Sequence, residues 1–156
     1  MLIFHIKSRR NYEKIEMIQK VIEDTEYGDA RVFDCKTLCF GDEVHVIFEG
    51  EENQVYIIKF MNCYKVSYNN SFAPDTNMKV KDMSKGQLGY FMQDISLEKH
   101  VDNEEFIESF LNLSIMTISV VCKDIIVEEL DQNNISFWGG KISNRIKAPY
   151  YMVGII

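Results

Sequence analysis

Residues 55–68, VYIIKFMNCYKVSY, constrain the fold more than any other stretch of this chain. The segment is rich in β-branched and aromatic side chains, which fit a pleated, half-buried surface. It is too long for one flat strand. A break or bulge near Asn62 is therefore predicted to separate Val55–Phe60 from Cys63–Tyr68. A strand this apolar needs neighbours, and the sequence on either side supplies them.

Upstream, Phe33, Cys35 and Thr37 alternate with Asp34 and Lys36, and Gly41-Asp42 marks a turn. Val44, Val46 and Phe48 then share one face, and Gly50 to Asn53 form a second turn. Downstream, LGYFMQDISL (88–97) reads as a strand, and Ser114–Val121 and Asp124–Glu129 as two more. Asp131–Asn134 reads as a turn, 135–138 as a short strand, and the tail APYYMVGII as a last strand with Pro149 at its start. Residues 69–86 lack periodicity and form the longest predicted loop.

Two segments follow helical spacing instead. Tyr12, Ile15, Ile18, Val21 and Ile22 make one buried face of a helix over 12–24, with Asn11 as its N-cap and Gly28 to end it. Phe106, Ile107, Phe110 and Leu111 suggest a short second helix within the acidic segment from His100 to Asn112. Only three alanines and 12% aromatics in 156 residues weigh against a helix bundle. The pattern is α+β: mainly an antiparallel β-sheet or open sandwich, with one N-terminal amphipathic helix and a short second helix, as a single globular domain over 1–156.

Charge restricts the partners. The net charge is −7, yet residues 1–10 and 132–156 hold bases and no acids. The body from 11 to 131 therefore carries 24 acids against 11 bases, a net of −13. Such a body repels phosphate backbones and excludes nucleic acid as a partner, whereas a basic protein is attracted. The apolar run Leu2–Ile6 is followed, not preceded, by positive charge, the wrong order for a secretory leader. With no apolar run long enough to span a bilayer, no membrane association is expected. The four scattered cysteines read as reduced thiols, which places the protein in the cytoplasm.

No motif identifies a reaction. Cys35-x₃-Cys39 has loose zinc half-site spacing but no second pair, and on a continuous strand its thiols lie about 13 Å apart. His45 is near enough to Cys35 or Cys39 in a hairpin to consider a Cys–His pair, but no local signature supports one. The acid pairs Glu51-Glu52, Glu104-Glu105 and Glu128-Glu129 fall at turns or strand ends, where carboxylates face water. No catalytic residue, metal ligand or cofactor is assigned.

The strands quoted above resemble small β-rich bacterial immunity proteins, which neutralise toxins in contact-dependent or polymorphic toxin systems. The likeness rests on an I-x-F-x-N-C strand (Ile58–Cys63) and a later C-K-D-I strand (Cys122–Ile125) in an acidic chain, and covers about residues 30–130. It implies a protein-binding inhibitor and transfers no site residue. The partner surface expected from charge is Asp42, Glu43, Glu49, Glu51 and Glu52, together with Asp102, Glu104, Glu105 and Glu108, converging on one end of a sheet. The other reading is a small enzyme or ligand-binding domain with a pocket beneath the 69–86 loop.

Overall fold

The long apolar strand is the spine of the molecule. In a computed structural model, which describes residues 2–70, 82–83 and 87–131 and the side chains from residue 10 onward, it runs unbroken over β3, Gln54–Asn70. It follows helix α1, Leu2–Glu23, and strands β1, Val32–Leu38, and β2, Glu43–Glu49. Strands β4, Asp94–Lys99, β5, Ile107–Asn112, and β6, Met116–Asp131, complete one antiparallel sheet in the order β1-β2-β3-β6-β5-β4. The predicted mainly antiparallel α+β architecture is observed as this single six-stranded sheet.

A ribbon of β3 and β6 extends through most of both strands, and each half carries a hairpin. The β1–β2 hairpin pairs with Val55–Met61, and the β4–β5 hairpin pairs with Thr117–Cys122. Between the halves the register shifts at Cys63/Lys65, and Asn62 takes a left-handed φ of 53°. Phe60 and Cys63, like Cys122 and Ile125, contribute to the same core although they are three positions apart, a spacing that puts side chains on opposite faces of a regular strand. The expected irregularity at Asn62 is thus a bulge within one strand. The two segments that carry the family resemblance face each other across it, with Phe60 opposite Ile125 and Cys63 opposite Cys122.

Helix α1 packs on β4 and β6. Ile15 and Ile22 are buried and Ile18 is partly buried against the main core, as their spacing predicts. Tyr12 and Val21 are exposed, so the apolar stripe is narrower than the sequence implies. The expected start at Asn11 is incorrect. Asn11 lies inside the helix, where its Nδ2 donates to the Glu104 carbonyl at 2.8 Å. At the other end Gly28 is not the stop. Thr25 Oγ1 donates to the Ile22 carbonyl at 2.6 Å, and Glu26 turns the chain out with φ 53°.

Three further expectations are corrected. The strand predicted over 88–97 begins only at Asp94, because Tyr90 and Met92 instead hydrogen-bond Val32 and Ala30 and tie β1 to the opposite side of the sheet. The short second helix is strand β5. Its Ile107, Ser109 and Leu111 are buried while Phe110 is exposed, and a serine in the apolar row masks the period of two. Finally, 114–121 and 124–129 are not separate strands but parts of β6. The predicted elements beyond Asp131, and most of the 69–86 loop, lie outside the described residues.

Candidate partner-binding surfaces

Negative charge concentrates where the β2–β3 turn meets the loop after α1. Gly50 and Gln54 close this turn, with the Gly50 N–H on the Gln54 carbonyl at 2.9 Å and the Gln54 N–H on that of Glu51 at 2.8 Å. A Cβ at Gly50 would lie 2.6 Å from the Tyr56 ring, so glycine lets this ring sit against the turn. Phe48 stacks on the same ring at 5.7 Å between centroids. Around Tyr56 stand Glu51 from the turn, Glu26 from the loop and Glu129 from β6. Its phenol titrates above its ordinary value, chiefly through burial and then through these three carboxylates. The carboxyl of Glu51 is likewise raised, first by a hydrogen bond with Glu26 and then by its charge. Two acids held this close repel unless a proton or a cation is shared between them.

Of the residues expected to bind a partner, Glu49, Glu51 and Glu52 belong to this end, Glu51 and Glu52 exposed and Glu49 half-buried. Glu26 and Glu129 join them from other elements. No linear reading places Glu26 there, although the acid pair Glu128-Glu129 is visible in the sequence.

Asp42 and Glu43 do not share this surface. They sit at the opposite end of β2, about 20 Å away at strand rise, where Glu43 opposes Met61. The turn carrying Asp102, Glu104 and Glu105 leads into Ile107, which opposes Cys122, the partner of Cys63. Those two groups therefore flank the middle of the ribbon, and the nine acids form two surfaces instead of one. The second surface is partly neutralised. Lys99 neutralises Glu104 at 2.7 Å, whereas Glu43 hydrogen-bonds His45 at 3.0 Å and His100 lies 3.2 Å from Glu108 and 3.9 Å from Asp102.

Among the described residues, the register does not bring Cys35 and His45 together. Cys35 opposes Val46 and packs on the main core, whereas His45 opposes Lys36 on the other face of the sheet. Burial raises the Cys35 thiol to about 12 and the Cys63 and Cys122 thiols to about 11 and about 12, which holds all three protonated. Burial lowers the pKa of His45. Cys39 lies beyond the end of β1 in a 3₁₀ turn, Cys39–Gly41, and does not continue the strand of Cys35. Among the described residues no three His, Cys, Asp or Glu side chains are placed to hold a metal ion. Val32, Phe33, Asp34, Cys35, Tyr90, Leu113 and Met116 line a cavity of about 170 Å³. Among the described residues no helix is long and apolar enough to cross a membrane.

The model of a family described as Immunity protein PIM7 matches residues 14–129. The chain belongs to this family. Those residues run from the buried face of α1 to the Glu128-Glu129 pair, so they include both acidic surfaces. A solved structure, an uncharacterized protein from Neisseria gonorrhoeae, is similar at 16% identity and a TM-score of 0.47, over 67% of this chain and 94% of that one. No curated protein matches the chain.

Proposed function

We propose that this chain is a non-catalytic immunity protein that inhibits a basic toxin by covering it, and that it acts in the cytoplasm. Family membership supports the inhibitor role. The observation that points to a basic partner is the gathering of Glu26, Glu51 and Glu129 around Tyr56, with the Glu51 carboxyl raised by its neighbour. A lysine or arginine brought between these acids removes the repulsion, and the joint field speeds encounter before contact. Asp42, Glu43, Asp102, Glu104, Glu105 and Glu108 form the second acidic surface available to the same partner.

The other reading, an enzyme or ligand-binding domain with a pocket beneath the 69–86 loop, falls mostly on residues outside the described ones. The cavity beside Cys35 is smaller than the roughly 300–1,000 Å³ usual for ligand pockets, and the thiol that lines it is protonated at neutral pH.

A pull-down from the source cell at low and high salt tests the proposal, using wild type and the double reversals Glu51→Lys/Glu52→Lys and Glu104→Lys/Glu105→Lys. A basic protein recovered by wild type and lost by at least one variant is expected, with recovery falling as salt rises. Equal recovery by all three removes both surfaces from the interface. Recovery of a small metabolite alone favours the pocket.

A further inference from the structure

At the middle of the ribbon the chain displays aromatic surface at a conformational cost. Cys39, Phe40 and Gly41 all have positive φ, at 51°, 57° and 101°. For the two that are not glycine this left-handed conformation brings Cβ close to the following carbonyl oxygen and is strained. Burial does not repay it, because Phe40 is wholly exposed. The turn is fixed to β3 by the Cys63 N–H, which donates to the Asp42 carbonyl at 2.8 Å. The next residue, Tyr64, is 71% exposed at the bulge, and its ring meets that of Phe106 at 5.5 Å. Val101, 90% exposed, lies in the turn that Phe106 closes. Strain retained at an exposed aromatic residue points to use by a partner.

We infer that Phe40, Tyr64 and Phe106 form a second contact surface, which receives arginine side chains of a basic protein. The inference rests on the proposed function for the sign of the partner's charge, and adds where and how the contact is made. Arginine is favoured by the combination of groups. Its planar guanidinium stacks on aromatic faces and pairs with carboxylates at the same time, whereas an ammonium is a compact, more strongly hydrated charge. Asp42 follows Phe40 by two residues, and Asp102, Glu104 and Glu105 lie in the turn that leads into Phe106, so carboxylates are close in the chain to two of the three rings. The surface already accepts cations from within the chain: Lys123 Nζ lies 5.5 Å from the centre of the Phe106 ring. Exposed aromatics ringed by polar groups are also the usual composition of interface hot spots.

Nona-arginine and nona-lysine, titrated into the full chain and followed by calorimetry, test this inference. Wild type is expected to prefer nona-arginine by about threefold or more, the order of an exposed cation–π contact. Phe40→Ser and Tyr64→Ser, whose side chains support no core, should abolish that preference by weakening nona-arginine more than nona-lysine. Glu51→Lys/Glu52→Lys should weaken both peptides alike. Equal affinity for the two peptides in wild type, or a preference that survives both serine variants, overturns the aromatic surface. Failure of the Glu51→Lys/Glu52→Lys variant to weaken either peptide counts instead against the acidic end of the proposed function.

Discussion

Ile22 is wholly buried beneath the sheet, whereas Ile18, one turn earlier, is only partly covered. Ile22→Ala should lower stability by about 2–5 kcal/mol and Ile18→Ala by less. Denaturant midpoints that fall equally would contradict the observed packing. The carboxyl pair of Glu26 and Glu51 makes a prediction of opposite chemical origin. In the folded chain the Glu51 carboxyl titrates above its ordinary value. In the window just above that value the folded chain holds more protons than the unfolded one, so this pair's contribution to stability falls as pH rises through it. Glu26→Gln should weaken that dependence, read from thermal midpoints between about pH 4 and about pH 7. The thiols separate by exposure: Cys39 is exposed and Cys122 buried. Iodoacetamide should label Cys39 first and Cys122 last in native protein, and mass spectrometry after denaturation should count four free thiols. Early labelling of Cys122 would contradict its place in the core.

Among the elements, β4 shows how a sheet edge is protected. Gln19 of α1 donates to the Ile95 carbonyl at 3.0 Å and accepts the Leu97 N–H at 3.1 Å, while the Tyr27 hydroxyl accepts the Ile95 N–H at 3.3 Å. Side chains of the helix and the loop after it thus take the place of a neighbouring strand, which removes an edge open to aggregation. Gln19→Leu should cost about 1–3 kcal/mol and raise light scattering in a concentration series. An unchanged melting curve would mean that water serves the edge equally well. The sequence signals these elements unevenly, for physical reasons. The bulge in β3 can be read because Asn tolerates a left-handed φ and interrupts an apolar run. The row Ile107, Ser109, Leu111 cannot, since a small hydroxyl in the core resembles a solvent-facing residue. Nor can the position of Tyr90–Met92, because its pairing with Ala30–Val32 depends on how the whole sheet curls. Acidity is visible as composition, but the division of nine acids between two surfaces requires the strand register.

For the whole molecule, the β3–β6 ribbon sets the distribution of charge. One end gathers Glu26, Glu51, Glu52 and Glu129, and the middle carries a second acidic surface with exposed aromatics beside it. Few interactions of these exposed acids support the fold, so their substitution should change binding far more than stability. The most direct test is protection of cells that express the basic toxin recovered in the pull-down. Wild-type chain is expected to restore growth. The quadruple reversal Glu51→Lys/Glu52→Lys/Glu104→Lys/Glu105→Lys, produced at the same level and equally folded, is expected to fail. Full protection by this variant would contradict recognition through the acidic surfaces, and failure of wild type to protect would contradict inhibition of that toxin.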